Sequence, residues 1–154
     1  MIKKQTIIDL IEAHFEGSDK FIVDIKIRTG NIIEIFIDAP NHILIADCVE
    51  LSRYVESNLD REKEDFDLQV SSPGLDQPFV VAKQYLKNLG NQVTVTKAND
   101  EVLNGELLKA NDQEIFLREI KNEKNKISKK KEKIENTHQL LMSEIKETKL
   151  IISF

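Results

Sequence analysis

The residues of this chain that could act chemically together lie in one short segment, Ser71 to Asp76. It holds two adjacent hydroxyls, at Ser71 and Ser72, and a carboxylate at Asp76. A serine nucleophile needs a positioned base, but the three histidines (positions 14, 42 and 138) are far from one another in the chain, and no Gly-x-Ser-x-Gly elbow is present. A hydrolase therefore stays a hypothesis supported by these three side chains alone, and we expect no catalytic residues.

Metal and cofactor sites are equally poorly supported. Cys48 is the single cysteine, and no two histidines stand at ligand spacing. The five glycines are too widely separated to form a phosphate-binding loop or a dinucleotide fingerprint. The acidic run Asp60–Asp67 could gather magnesium, but a run of mixed charge is usually a solvated surface. We expect no metal and no cofactor, with Cys48 as a small core residue of a helix.

Charge is distributed unevenly along the chain. Residues 1–76 carry 8 Lys/Arg and 16 Asp/Glu (8 − 16 = −8), whereas residues 77–154 carry 14 and 11 (14 − 11 = +3). A lysine tract in the second part could contact nucleic-acid phosphates without reading sequence, or could be a solubilising loop. The predicted phosphate contacts are Lys126, Lys129, Lys130, Lys131 and Lys133. Few aromatic side chains are available for base stacking, and no Gly-x-x-Gly clamp occurs, so sequence-specific RNA binding is not expected.

The first half of the chain has the pattern of an α+β domain. Residues 2–16 have the apolar spacing of an amphipathic helix. Alternating isoleucines and valines predict a hairpin of strands at 21–27 and 33–37, followed by a helix from about Ile45 and a third strand at 66–70. The expected architecture is a two-layer α-β-β-α-β domain with helices on one face of the sheet.

The second half is predicted to be mostly strands. Residues 79–89 could form a short helix or turn, and short strand-like runs follow at 93–96, 102–109, 114–117, 138–142 and 150–154. Gly105 suggests a bulge or a sharp bend, and Ser143 is expected to cap a helical turn over 143–146. Short strands with no long helix indicate a small closed β-barrel. The expected division is a domain at 1–78, a connector at 79–90, and a barrel at 91–154 with a lysine-rich insertion at 121–133.

The segment that ends the third strand has the composition of a tight turn. Pro73 favours the first corner of a type II turn, and Gly74 can supply the positive φ of the second corner. Pro78 prevents simple continuation of a central strand. Composition alone predicts a surface turn between two domains.

The sequence of this segment resembles that of the RimP family of ribosome maturation factors, in which a strand leads into Ser-Ser-Pro-Gly-Leu-Asp. The resemblance extends to Asp47-Cys48 and Ser52-Arg53 in the second helix, to Ile35–Asp38 in the second strand, and to the order of the elements. It implies a KH-like first domain, an Sm/SH3-like barrel, and a non-enzymatic factor that binds the immature small ribosomal subunit. Gln77 and Gln69 depart from the family, which usually has arginine and glutamate there.

The resemblance implies that the partner is the small ribosomal subunit, through both rRNA and ribosomal protein. The single cysteine favours the reducing cytoplasm, and a monomer is expected. No membrane and no small-molecule substrate are expected. The residues predicted to face the partner at the turn are Ser71, Ser72, Pro73, Gly74, Leu75 and Asp76. The alternative is a protein–protein adaptor whose RNA contacts are incidental.

Overall fold

A computed structural model describes the backbone of residues 1–124 and 131–152, and the side chains of residues 1–119 and 135–152. The chain divides into two compact units, Met1–Gly74 and Leu75–Phe154. Unit 1 contains α1 (Lys4–Phe15), β1 (Phe21–Arg28), β2 (Ile32–Asp38), α2 (Ile45–Ser57) and β3 (Asp67–Ser71). Unit 2 contains α3 (Ala82–Lys87), β4 (Gln92–Lys97), β5 (Val102–Ala110), β6 (Glu114–Lys124), β7 (Lys131–Leu141), a 3₁₀ turn (Met142–Glu144) and β8 (Ile145–Leu150).

Unit 1 has a three-stranded sheet in the order β1-β2-β3. Strands β1 and β2 pair antiparallel across a turn in which Gly30 has φ +88° and Asn31 has φ +55°, conformations that favour these two residue types. Strand β3 pairs parallel to β2, so the chain crosses over through α2 between them. The helix–strand–strand–helix–strand order predicted from the sequence is confirmed.

The core of unit 1 comes from one stripe of each helix and one face of the sheet. Ile7 and Ile11 of α1, and Leu51 and Val55 of α2, are fully buried against the inward isoleucines of β2. Burial alternates along β1, as expected for a strand covered on one face. The hydrophobic periodicity therefore correctly predicted the covered face of α1, β1 and β2.

Unit 2 has a five-stranded antiparallel sheet in the order β7-β6-β5-β4-β8. Gly105 lies in regular register opposite Val93, and the irregularity of β5 falls later, between Leu107 and Lys109. The bulge predicted at Gly105 is therefore wrong. The glycine is needed for space, because a Cβ there would lie 2.5 Å from the carbonyl oxygen of Arg118 on the neighbouring strand.

Helix α3 is anchored to the sheet of unit 2 by a buried hydrogen bond. Tyr85 Oη donates to Thr148 Oγ1 at 2.9 Å, and both residues are buried. The ring of Phe79 packs edge-on against Tyr85 at 5.0 Å, and the Phe79 amide donates to the Thr148 carbonyl at 2.8 Å. These contacts attach the segment before α3 to the middle of β8.

The C-terminal end of unit 2 differs from the prediction. The last described strand spans Ile145–Leu150, in which Leu150 and Thr148 pair with Val93 and Val95 of β4, whereas the predicted strand was 150–154. Residues 153 and 154 of that prediction lie outside the described residues. A 3₁₀ turn at Met142–Glu144 replaces the predicted helical turn at 143–146. Its N-cap is Leu141, without a side-chain hydrogen bond, so Ser143 does not cap it.

Candidate functional site

The segment Ser71–Asp76 begins where β3 ends. Ser71 is the last strand residue and pairs with Phe36 of β2, so the sheet fixes its position. The hydroxyl-bearing residues Ser71 and Ser72 are exposed, and Leu75, an aliphatic side chain, is 67% exposed. The segment therefore presents hydroxyls, a carboxylate and an aliphatic group to solvent.

The turn itself lies later than predicted. Residues 72–74 have no regular secondary structure, and the turn is formed by Leu75 and Asp76. The predicted type II turn with corners at Pro73 and Gly74 is therefore wrong. Pro73 restricts only its own φ. A type II turn also needs the chain to change direction at the next residue, and in this chain the turn is made at Leu75 and Asp76 instead.

Two of the three histidines contact other residues of the fold. His14 stacks on Tyr54 at 4.7 Å, and His138 lies 3.4 Å from Glu119 in unit 2. Within the described residues no group of three potential ligands could hold a metal ion. Cys48 is partly buried against the core of unit 1, and burial, followed by the charge of Asp47, raises the pKa of its thiol, which lowers its reactivity.

The strands that flank residues 125–130 in sequence form a two-stranded extension of the unit 2 sheet. Strand β5 pairs with β6 only over Ile115–Arg118, whereas β6 and β7 remain paired from Glu114 to Lys124. Residues 119–124 and 131–136 therefore form a projecting antiparallel arm, here called the β6–β7 ribbon. Lys126, Lys129 and Lys130 lie outside the described residues.

The two remaining predicted phosphate contacts belong to this ribbon. Lys131 is opposite Lys124, and Lys133 is opposite Asn122. Since directly opposed residues share a face and alternate residues return to it, these four positions fall on one face of the ribbon by register. The register thus groups three lysine positions that the linear sequence leaves separate.

Two grooves of unit 1 lie near its first residues. One, of about 610 Å³, is lined by aliphatic and lysine side chains: Met1, Ile2, Lys3, Lys4, Ile25 and Ile27. Beside it, the N-terminal ammonium pairs with Glu64 at 2.9 Å, and the Ile2 amide donates to Asn31 Oδ1 at 2.9 Å. The hydrogen bond from the N-terminal ammonium, then that from Asn31, lowers the pKa of Glu64.

An exposed apolar surface at the start of α2 was missed by sequence reasoning. The sequence places Ile45 and Val49 among the apolar residues of this helix, yet Ile45 is 85% and Val49 is 42% exposed, and the preceding Leu44 is 54% exposed. The core-facing residues of α2 are instead Leu51 and Val55. The available signal was that positions 45 and 49 form a stripe of their own, rotated away from positions 51 and 55.

Comparison with known proteins covers the whole chain. The family profile described as the RimP N-terminal domain matches residues 10–76. Proteins named ribosome maturation factor RimP are similar over nearly all of both chains: one from Flavobacterium psychrophilum is 33% identical, covering 100% of each chain, and one from Christiangramia forsetii is 34% identical, covering 98% of this chain and 99% of its own. One from Porphyromonas gingivalis is 29% identical, covering 99% of this chain and 100% of its own.

The agreement includes the segment that suggested the family, since the matched profile ends at Asp76, the last residue of Ser-Ser-Pro-Gly-Leu-Asp. The full-length similarity also includes unit 2, which the profile does not cover. This chain therefore belongs to the RimP family of ribosome maturation factors.

Proposed function

We propose that this chain is a non-enzymatic, cytoplasmic factor that binds the immature small ribosomal subunit and assists its assembly. The observation that carries the proposal is the full-length similarity to proteins named ribosome maturation factor RimP. No described helix is long and apolar enough to cross a bilayer.

The finer fold assignment is also part of the proposal. Unit 1, with two helices on one face of a three-stranded sheet, suits a KH-like domain, and the short antiparallel strands of unit 2 suit an Sm/SH3-like barrel. Folds of these two kinds support RNA and protein contacts on many chains, so the assignment agrees with docking on a ribonucleoprotein particle.

The basic contact with rRNA is assigned to the β6–β7 ribbon and the lysines at its end. Unit 2 carries 14 Lys/Arg and 12 Asp/Glu (14 − 12 = +2), whereas unit 1 carries 8 and 15 (8 − 15 = −7). An arm with lysine positions grouped on one face could contact phosphates, whereas the net negative charge of unit 1 does not favour such a contact. The proposed contacts are Lys126, Lys129, Lys130, Lys131 and Lys133.

Sedimentation of the protein with immature small subunits at increasing salt tests this contact. Replacing Lys129, Lys130 and Lys131 with glutamine should weaken binding and flatten its salt dependence, by up to about 0.7 in logarithmic slope per lost phosphate contact. The matched control replaces Lys3, Lys4 and Lys109, which are exposed and lie outside the ribbon, so it removes the same charge. Equal loss in both triple variants would contradict an assignment to the ribbon.

The second proposed contact is the segment Ser71–Asp76. Since Ser72 is exposed and makes no hydrogen bond among those of the described residues, Ser72→Ala should leave folding intact and slow processing of the precursor small-subunit RNA. Ser143→Ala, at another exposed serine, is the control. Normal precursor processing with the Ser72 variant would remove this residue from the site. Binding that survives nuclease treatment of the particles would favour a protein adaptor instead.

A further inference from the structure

The start of α2 presents an apolar surface that is not covered within unit 1. Leu44, Ile45 and Val49, here called the α2 patch, are 54%, 85% and 42% exposed. Ile45 and Val49 are four residues apart and thus adjacent on the helix surface. Isolated exposed aliphatic residues are ordinary, but three within six consecutive residues at the start of a helix form a surface that a partner could cover.

The α2 patch lies on a fixed part of the fold. Asp47 Oδ2 accepts a hydrogen bond from the Leu44 amide at 2.9 Å and so caps the first turn of α2. The other oxygen, Asp47 Oδ1, pairs with Lys20 Nζ at 3.2 Å, which ties the helix start to the loop before β1. The fully buried Leu51 holds the opposite side of the same helix in the core. A pre-ordered apolar surface loses little conformational entropy when it is covered.

The net charge of the unit that carries the α2 patch selects the chemistry of the partner. Unit 1 has a net charge of −7 (8 − 15), and Glu50, the residue next to Val49, is exposed. Arg53, one turn further on, is the exposed cation of this helix. Such a field repels nucleic acid and attracts cationic chains. A second copy of this chain brings the same acidic unit, so association through two copies of the patch would bring like charges together.

We propose that the α2 patch docks a basic protein segment that carries aliphatic side chains. The aliphatic groups cover Leu44, Ile45 and Val49, while lysines or arginines of the segment face Glu50 and the acidic surface of unit 1. This contact is distinct from the phosphate contact proposed for the β6–β7 ribbon and does not depend on it. The two units would then engage different classes of ligand, protein at unit 1 and RNA at unit 2.

Titration of the purified protein with a synthetic peptide tests the proposal. The probe is a helical peptide of about four turns with leucines on one face and lysines on the other. We expect binding that weakens with salt, and at least a tenfold loss of affinity for Ile45→Ser/Val49→Ser. The matched control, Val102→Ser/Leu141→Ser, removes aliphatic side chains of unit 2 that are 55% and 45% exposed, and should bind as the unchanged protein does.

Four further measurements complete the test. A peptide with glutamates in place of the lysines, and one with serines in place of the leucines, should each bind at least tenfold more weakly. Equal affinity of the Ile45/Val49 variant and the unchanged protein would overturn the proposal, as would equal binding of the acidic peptide. A concentration-dependent dimer that the same variant abolishes would assign the patch to self-association, and competition by single-stranded RNA would assign it to nucleic acid. The single change Ile45→Ser, at an 85% exposed position, serves if the double variant does not fold.

Discussion

The two units of this chain cover a small β-sheet in different ways. In unit 1 two long helices cover one face, and the fully buried side chains are mainly isoleucines from α1 and β2. Unit 2 has one short helix, and its core comes mostly from the strands themselves, with Tyr85 contributed by α3. The helices give unit 1 a broad exposed surface, whereas the paired strands of unit 2 extend into a projecting ribbon.

This difference separates two kinds of surface on one chain. The acidic unit presents an apolar patch on a helix, and the basic unit presents lysine positions on a two-stranded arm. Because each surface depends on its own supporting elements, substitutions in one unit can test the role of that unit. The acidic and the basic parts of the sequence thus form separate units, and each unit supports its own candidate binding surface with its own helices or strands.

The largest expected loss of stability comes from a comparison of two glycine substitutions, one in each unit. Gly105→Ala should destabilise unit 2 by roughly 3 kcal/mol, because its Cβ would meet the Arg118 carbonyl oxygen at 2.5 Å. Gly17→Ala in unit 1 should cost only roughly 1 kcal/mol, since its φ of +78° is strained for alanine but nothing lies within 4 Å. Urea unfolding followed by hydrogen exchange in each unit measures both, and equal losses would contradict the steric role of Gly105.

The next effect concerns the two tyrosines, one in each unit. Tyr85→Phe should cost roughly 1 kcal/mol, because it removes the buried hydrogen bond to Thr148 Oγ1. Tyr54→Phe should change the free energy of unfolding very little, since its half-buried ring contacts His14 and its hydroxyl makes no hydrogen bond among those of the described residues. A Tyr85 variant as stable as the unchanged protein would show that Thr148 does not need this donor.

Alkaline pH sharpens the same comparison. Burial raises the pKa of Tyr85, an effect that the hydrogen bond to Thr148 only partly offsets. The folded state therefore holds the proton more tightly than the unfolded state, so this stabilisation is complete below the ordinary tyrosine value of about 10 and is lost as pH rises through the folded pKa. Urea midpoints at pH 8 and above about pH 10 should fall less for Tyr85→Phe than for the unchanged protein.

The smallest effect is expected at acid pH, in unit 1. The hydrogen bond from the Leu44 amide, then that from Lys20, lowers the pKa of Asp47. This stabilisation is present above the ordinary aspartate value and is lost as pH falls through the folded pKa. Asp47→Asn, which keeps an oxygen for the cap, should reduce the acid dependence of unit 1 unfolding. Glu101→Gln in unit 2, where Lys97 lowers the carboxyl pKa, should leave unit 1 unchanged.

Hydrophobic periodicity predicted most of the fold because burial follows it closely. The alternation through Val23 and Ile25, and the helical stripe of Ile7 and Ile11, each corresponds to a covered face. The C-terminal strand was misplaced because Ile145–Leu150 reads as a charged segment, and its pairing with β4 depends on tertiary contacts that no local pattern reveals. Gly105 was assigned a bulge because sequence cannot distinguish a conformational need for glycine from a spatial one.

The sequence predicted those features of the candidate site that follow from local composition. It did not predict those that depend on how the strands pair. The exposed hydroxyls of Ser71 and Ser72 follow from a polar segment at the end of a strand. The grouping of Lys124 and Lys131 depends on a cross-strand register that only the fold supplies. The exposed apolar surface at the start of α2 was not predicted, because Ile45 and Val49 have the composition and spacing of core residues. Only the structure shows that the helix faces the core with the side that carries Leu51.

In the β6–β7 ribbon, the length of the arm and the face on which a given residue lies can be changed independently. Beyond Arg118, β6 is joined by register to β7 and no longer to β5 in the described part of the chain. Inserting two residues in each strand would lengthen the arm by roughly 7 Å and keep the same positions on each face, whereas inserting one would exchange the faces distal to the insertion. Chains with this architecture can therefore vary how far the arm extends without rebuilding the sheet that supports it.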